Sequence, residues 1–303
     1  MFSLINTQHQ KLKIIQKSGF LNSFRKFHPV TAFVFVSFWC WAGSLHAGGD
    51  SITIHLAPDS VGTLFGVPIT NTLLTVWLAM TVLFVLALVI NANMKLIPSK
   101  LQSSFEALIG SVFDYMTEVL ESRDLAKKFF PLVMTIFLFI LVMNWVGLLP
   151  GVDAIGIHTE VESHEIVDGV ENKFIPFFHP AATDLNITIA FALIAFVSIE
   201  LAGVLLLGLF KYGGKFINFS SPLAFVIGLI ELISELARLI SFSFRLFGNI
   251  FAGKTLILVA MFFVPYILPV PLLAFEVFVG FIQAFIFAIL TLFFIKIAIE
   301  EPH

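Results

Sequence analysis

The chain has 303 residues, of which 58% are hydrophobic and only 12% are charged. Its mean hydropathy of +1.00 lies outside the range of ordinary soluble domains, so the composition indicates an integral membrane protein. The net charge of −3 is a sum over two signs that are segregated along the chain, and that segregation bears on topology. The single cysteine, Cys40, excludes an internal disulfide and a metal site built from several cysteines.

Residues 1–47 have the pattern of a secretory signal peptide or a signal anchor. The first 28 residues carry basic side chains and no acidic one, and an apolar run over 30–45 ends near Leu45-His46-Ala47. Cleavage and retention as an anchor both remain open at this point. Either outcome delivers the following residues to the outer face of the membrane, so we predict a membrane domain at 48–303.

Residues 48–68 predict an extracytoplasmic linker with one short strand at 51–56, because glycines and prolines interrupt the segment. The first membrane span is predicted at 69–90, a run of roughly 20 apolar residues without a charge. Basic residues crowd the segment that follows it. By the positive-inside rule that segment is cytoplasmic; its cations are Lys95, Lys100, Arg123, Lys127 and Lys128.

The same cytoplasmic segment predicts an amphipathic helix lying on the membrane surface. Pro98 can begin such a helix. Seven apolar residues then fall near one face at helical spacing: Phe105, Leu108, Ile109, Val112, Tyr115, Met116 and Val119.

The second span is predicted at 130–149, closed by Pro150-Gly151, and an acidic segment at 152–180 follows it. The acidity of this segment fits the outer face of the membrane. Its histidines and carboxylates suggest a metal cluster, but their spacing matches no known ligand pattern, so we predict a solvated loop. The residues concerned are His158, Glu160, Glu162, His164 and Glu165.

The third span is predicted at 185–209 and contains Glu200, whose side chain lies either near the cytoplasmic headgroups or in a protein cavity. Lys211 and Lys215 return the chain to the cytoplasm. A helix of about 40 residues is predicted from Pro222 to about residue 264, far longer than a perpendicular span needs. It must be strongly tilted, broken, or nearly in the membrane plane. A last helix at 272–299 leads to a cytoplasmic C-terminus.

These elements predict an all-α polytopic membrane protein. It has about five to six membrane helices, of which the last two are long and strongly tilted or near-horizontal, and one amphipathic surface helix. No glycine-rich phosphate loop and no nucleophilic triad is present, and all eight histidines fall outside the predicted spans, which argues against a haem held between transmembrane histidines. We expect neither a cofactor nor a metal.

The chemistry within the membrane is confined to a few ionisable and amide side chains. At about 100° per residue, six of them form one stripe along the helix at 222–264: Glu231, Glu235, Arg238, Ser241, Arg245 and Asn249. An arginine at this depth costs at least roughly 2.5–3.5 kcal/mol, so such residues face an interior or an aqueous path. Glu200, Lys254, Glu276 and Gln283 complete the inventory of an ion pathway.

The stripe has two interpretations, which are local ion pairing and an ion pathway. Glu235 and Arg238 can simply neutralise each other, since they are three residues apart on one helical face. Arg245 lacks such a neighbour, because the acidic residues of the stripe lie at least about 15 Å away along the axis. We therefore expect its counter-charge to come from another chain. Phe247-Gly248 and Ala252-Gly253 leave the helix thin enough there for a partner helix to pack closely.

The segment Arg245-Leu-Phe-Gly-Asn-Ile-Phe-Ala-Gly253 resembles subunit a of the F-type ATP synthase. The stretch Glu231-Leu-Ile-Ser before it, Gln283-Ala-Phe-Ile-Phe after it and Ala182-Thr-Asp-Leu-Asn186 resemble the same family. The resemblance covers about residues 50–300.

The resemblance implies a stator against which a ring of c subunits turns, each carrying one buried carboxylate. Arg245 corresponds to the family's essential arginine, which attracts the rotor carboxylate and, staying charged, blocks leakage between two offset half-channels. Glu231 and Ser241 then belong to the cytoplasmic half-channel; Asn249, Lys254, Glu276 and Gln283 belong to the outer one. A soluble head of other chains makes the ATP. The implied partners are the c ring, the peripheral-stalk b subunits and lipid, without nucleic acid, in a bacterial inner membrane.

The chain departs from the family at Lys254 and Glu276, where the usual residue types look exchanged. By the helical wheel Lys254 lies about 140° from the stripe, towards the last helix. We hypothesise an interhelical Lys254–Glu276 pair that lines the outer half-channel, with Glu276 as the titratable relay. A pair that only fixes helix packing is the alternative.

A secondary transporter and a membrane scaffold are the alternatives to a stator. A secondary transporter can also place an arginine on a broken helix at mid-membrane, but it usually has internal repeats, and none is visible here. A membrane scaffold needs no polar stripe at all. Copurification with small, acid-bearing hairpin subunits separates the stator from both.

Overall fold

The structure is a computed structural model that describes residues 58–64, 66–92, 100–149, 151–162, 170–216, 221–265 and 267–300. The signal-like segment at 1–47 and the strand predicted at 51–56 lie outside these residues, as does Pro98. Seven α-helices fall within the described ranges. They are α1 (Asn71–Ala92), α2 (Lys100–Leu120), α3 (Arg123–Gly147), α4 (Leu185–Leu207), α5 (Leu209–Phe216), α6 (Pro222–Phe263) and α7 (Pro269–Ile299).

The all-α polytopic class is confirmed. Four helices are long and apolar enough to cross a membrane, namely α1, α3, α4 and α7. The long helix α6, which carries the polar stripe and was predicted as a fifth, is not among them. The sequence predicted about five to six membrane helices, and the apolar run at 30–45, the remaining candidate, lies outside the described residues.

Local sequence signals set the helix boundaries. Ser122 caps α3 by accepting a hydrogen bond from the Leu125 amide, and Asp184 caps α4 through the Asn186 amide. At the start of α6 the Ser221 side chain accepts from the Ala224 amide, and Pro222 occupies the first turn, where its missing N–H costs nothing. Gly208, at a φ of 87°, separates α4 from the short helix α5.

The helix α6 is continuous over 42 residues, so of the three expected solutions to its length the broken helix is excluded. At 1.5 Å per residue it extends about 63 Å, about twice the thickness of a hydrocarbon core. The helix α7, with 31 residues, extends about 47 Å. Both lengths require a strong tilt if the helices stay within the bilayer.

Small side chains and a few interhelical hydrogen bonds hold the bundle together, as expected where lipid offers no hydrophobic drive. The helix α4 buries Ala192, Ala195 and Ala202 against α6 and α7. Between α3 and α7, Asn144 Nδ2 donates to the Gly280 carbonyl at 3.2 Å. Trp145 Nε1 donates to the Val277 carbonyl at 3.1 Å. These contacts fix α7 relative to α3.

The described part of the acidic segment after α3 contains two strands where a loop was predicted. Strands β1 (Ser60–Leu64) and β2 (Val67–Thr70) form one antiparallel hairpin, and β3 (Gly156–Glu162) and β4 (Val170–Pro176) form a second. In the second hairpin Gly156 pairs with Pro176 and Glu162 with Val170. Of the suggested metal ligands, His158 packs on Phe174 with ring centroids 5.2 Å apart. The strands were not predicted, because their pairing depends on a partner strand and the acidic composition of the segment is typical of a loop.

The predicted amphipathic helix is α2, and only part of its apolar face meets the protein. Met116 is buried, and Val112 and Val119 pack against the core, whereas Leu108 and Ile109 are exposed. The C-terminal half of the helix therefore docks on the bundle. The N-terminal half leaves apolar side chains free to contact lipid.

Candidate functional site

The first part of the polar stripe is neutralised within the chain. Arg238 Nη1 donates to Glu235 Oε2 at 2.6 Å, and its guanidinium lies 3.8 Å from the centroid of the Phe294 ring on α7. Glu231 Oε1 lies 2.7 Å from Lys215 Nζ on α5. The local Glu235–Arg238 pairing that the sequence left open is therefore present. Glu231 has a partner that helical spacing could not reveal, because it comes from another helix.

Arg245 at the centre of the stripe has a different environment. Its Nη2 donates to the hydroxyl of Ser241 at 3.2 Å, one turn earlier on α6. Arg245 is partly exposed, and Ser241 and Asn249 beside it are exposed. No carboxylate of the described part of the chain forms an ion pair with Arg245. The centre of the stripe therefore presents an uncompensated positive charge at the surface of this chain.

Asn249 connects this surface to the interior. Its Nδ2 donates to Gln283 Oε1 on α7 at 2.6 Å, and Gln283 is only 2% exposed. The Nε2 of Gln283 is buried without a hydrogen-bond partner among the described residues. A buried orphan donor of this kind is a place for an ordered water or a passing polar group.

Glu276 is the buried acid of the last helix, with 5% of its surface exposed. Its carboxyl group lies directly against Gly253 of α6, so closely that a Cβ at that position would overlap it. Among the described residues it forms no ion pair. A buried carboxyl without a cationic partner is costly as an anion.

The hypothesised Lys254–Glu276 pair is not formed, and that prediction was wrong. Lys254 Nζ lies 3.0 Å from Nδ1 of His179, in the segment that precedes the 3₁₀ turn Ala181–Thr183. The His179 backbone amide donates to Thr75 Oγ1 of α1 at 3.1 Å. The helical wheel placed Lys254 away from the stripe, but it could not show which element lies on that side of α6.

The segment at 182–186 is a structural junction. Asp184 is 4% exposed and accepts from the Thr72 hydroxyl of α1 and from the Asn186 amide, each at 2.9 Å. It therefore caps α4 and ties it to α1. Nearby, Thr188 of α4 and Ser243 of α6 are buried with their hydroxyl oxygens 3.2 Å apart. Thr188 and Ser243 join α4 to α6 two residues before Arg245.

Sequence reasoning missed two residues that contact the polar groups. His179 was set aside with the other histidines because it lies outside the spans, yet it meets Lys254. Tyr212 of α5 donates to Glu200 Oε2 at 3.0 Å. No periodicity could have found either contact, since each joins elements far apart in the chain. Within the described ranges, no group of three His, Cys, Asp or Glu side chains could hold a metal.

The predicted site residues therefore form two lines of polar groups that meet at Arg245. Glu231 and Ser241 lie before it on α6; Asn249, Gln283, Glu276 and Lys254 lie after it on α6 and α7. From Glu231 to Asn249 the stripe extends about 27 Å along the helix axis. Titratable groups, amides and a hydroxyl spaced over that length are suited to carrying protons.

Comparisons with known proteins identify the family of this chain. Residues 73–296 match the family described as ATP synthase A chain. The chain is 31% identical over 231 residues to the ATP synthase subunit a of Geotalea daltonii, which covers 75% of this chain and 86% of the relative. It is 33% identical over 232 residues to that of Citrifermentans bemidjiense, with the same coverage. For Trichlorobacter lovleyi the identity is 30% over 233 residues, with 77% and 89% covered. The chain belongs to the ATP synthase A chain family.

Proposed function

We propose that this chain is the membrane stator of the proton channel in a bacterial F-type ATP synthase. Membership of the ATP synthase A chain family and four apolar helices of spanning length support a multi-pass subunit of the inner membrane. The clustered cations before α3 and after α4 favour a cytoplasmic C-terminus. The chain couples proton flow to ATP synthesis without binding ATP itself.

The observation that carries the proposal is the uncompensated charge of Arg245. Its guanidinium is bonded to a neutral hydroxyl, lies on an exposed face of α6 and has no acidic partner in the described part of the chain. Ile240 and Phe244, which precede it on α6, are exposed apolar side chains, and a Cβ at Gly248 would meet nothing within 4 Å. This face suits a closely packed partner helix carrying a carboxylate, as a c subunit does.

Two half-channels then lead to Arg245 from opposite sides of the membrane. Ser241 and Glu231 line the cytoplasmic one, with Lys215 beside Glu231 at its mouth. Asn249, Gln283, Glu276 and Lys254 line the outer one, with His179 beside Lys254. An arginine stays protonated under all physiological conditions, so it is a fixed barrier to a proton moving directly between them.

The decisive experiment replaces Arg245 in the assembled ATP synthase. Arg245→Ala removes the charge, and we expect ATP-driven proton pumping into inverted membrane vesicles to be abolished. Arg123→Ala, which removes an exposed cation from the start of α3, is the matched control and leaves pumping intact. The c-subunit content of the purified complex establishes assembly. Retained pumping in an assembled Arg245→Ala complex overturns the proposal.

The same purification tests the proposed partners. We expect the chain to copurify with a ring of small hairpin subunits and with the peripheral-stalk b subunits. A secondary transporter instead purifies without them and binds an anionic substrate. Isolation of a stable, ring-free protein that transports a solute favours that alternative.

A further inference from the structure

A second group of polar residues lies at the end of the bundle where α4, α5 and α6 meet. The short helix α5 packs on α4 so tightly that a Cβ at Gly203 would overlap the Tyr212 ring. The Tyr212 hydroxyl thereby reaches Glu200 of α4 and donates to its Oε2 at 3.0 Å. Tyr212 is 3% exposed, so this hydrogen bond is shielded from water. Neither Glu200 nor Tyr212 belongs to the arginine motif.

Glu200 has one oxygen without a partner. Its Oε1 is buried and accepts no hydrogen bond within the described ranges. A buried carboxylate oxygen left unpaired carries a large desolvation cost, which a bound proton or an ordered water removes. A proton or a water molecule at Oε1 would supply the missing hydrogen bond.

Glu235 of α6 completes the group. It is 3% exposed and interacts electrostatically with Glu200 and Glu231 as well as with Lys215 and Arg238. Lys211, also on α5, is exposed, and α7 contributes the Phe294 ring under Arg238. Three carboxylates are thereby gathered at one end of the bundle, and Glu200 Oε1 is the carboxylate oxygen among them that is buried without a hydrogen-bond partner in the described ranges.

We propose that Glu200 and Glu235, with Tyr212 as hydrogen-bond donor, form a proton-holding site at the cytoplasmic end of the channel. This inference rests on the proposed stator function and adds a residue set to it. A proton arriving by water from the Arg245 side forms an O–H bond to one of the two carboxylates. That bond then breaks as the proton passes to water near Glu231 and Lys215. The site thereby passes protons in either direction.

The test measures passive proton permeability of vesicles from which the soluble head has been removed, as a function of pH. Glu200→Gln preserves the shape of the side chain and an acceptor for Tyr212 but cannot titrate. A positioned acid–base group is worth roughly 10²–10⁴-fold; with water as a partial bypass, we expect about tenfold slower flux. Glu200→Asp keeps the carboxyl group and restores most of the flux. Glu118→Gln, an exposed acid of α2, is the matched control.

A merely structural role for Glu200 predicts a different result. In that case Glu200→Gln conducts at the wild-type rate with an unchanged pH profile, and this outcome overturns the inference. If the variant does not assemble, Tyr212→Phe decides instead. It leaves both carboxyl groups in place and removes the donor, so the site holds its proton more tightly and the alkaline limb of the flux profile moves to higher pH. An unmoved limb also overturns the inference.

The two proposals fail in distinguishable ways. If the stator proposal is wrong, Arg245→Ala pumps normally whatever happens at Glu200. If only the second site is wrong, Arg245→Ala abolishes pumping while Glu200→Gln has no effect on passive flux.

Discussion

The exposed amide of Asn249 on α6 donates to the buried amide of Gln283 on α7 at 2.6 Å, one turn beyond Arg245. This contact joins the face that carries the arginine charge to the interior of the bundle. Two amides in contact can form part of a hydrogen-bonded chain, and neither of them carries a charge. They therefore suit the inner end of a half-channel, next to a fixed cation.

The first prediction concerns this pair. Asn249→Ala and Gln283→Ala each slow ATP-driven pumping, because each leaves the other amide without its partner. Since the two act together, the double variant is little slower than either single one, with a coupling energy of about 1 kcal/mol, inside the range for contacting residues. Pumping rates of the four proteins in inverted vesicles give this value. Strictly additive effects would show that the two amides act separately.

The second prediction uses the close approach of Gly253 and Glu276. Gly253→Ala puts a methyl group where the Glu276 carboxyl lies, so the acid must move. We expect pumping to fall at least about tenfold, in line with the loss of a positioned proton-transfer group. Gly110→Ala on α2 is the control, because a Cβ there meets nothing within 4 Å. Normal pumping by Gly253→Ala would mean that the position of Glu276 does not matter.

The third prediction separates a relay at Glu276 from a Lys254–Glu276 pair. Glu276→Gln slows pumping in an assembled complex. Exchanging the two residues (Lys254→Glu with Glu276→Lys) does not restore the pumping rate, because Lys254 contacts His179 and not Glu276. Pumping assays on the three complexes check this. A rescue by the exchange would indicate a direct ion pair in the working enzyme, and unchanged rates in both Glu276→Gln and Glu276→His would end the relay idea.

The sequence predicted the helices well and their contacts poorly. Helical periodicity and apolar run length are local properties, so α4 was predicted to begin at residue 185 and α6 to begin at Pro222, as they do. The stripe up to Asn249 was likewise predictable from one helix. The partners of Glu231, Lys254 and Glu200 come from α5 and from the segment before α4, and no spacing within one helix encodes them.

The pairing of β3 with β4 was also not predicted from the sequence. The acidic residues of this hairpin hid the strand pattern, because strand pairing is decided by the partner strand as well as by composition. The short helix α5 was missed for a related reason. It has only eight residues, too few for a periodic pattern to stand out, and its packing on Gly203 becomes visible only in three dimensions.

The fourth prediction concerns the Glu121–Lys296 contact between the end of α2 and the end of α7. The hydrogen bond from Lys296 lowers the pKa of the Glu121 carboxyl below its usual value. The stability it contributes is therefore present above the ordinary Glu pKa and is lost as pH falls through the lowered one. Because Glu121 is 77% exposed, salt screens the pair. Glu121→Gln should leave the thermal midpoint at neutral pH and high salt unchanged; a marked fall would show that the pair holds α2 in place.

The last prediction concerns the junction of α1 and α4. Thr72→Val keeps the shape of the side chain but removes the hydroxyl that donates to the buried Asp184 at 2.9 Å. An unpaired buried oxygen on an acid costs about 1–3 kcal/mol or more, so we expect a lower thermal midpoint of the purified complex. Thr81→Val is the matched control, since its exposed hydroxyl only donates to the Trp77 carbonyl of the same helix. Because Asp184 caps α4 and is not one of the predicted site residues, pumping by the folded Thr72→Val complex stays normal. Lost pumping at unchanged stability would instead place Asp184 in the proton path.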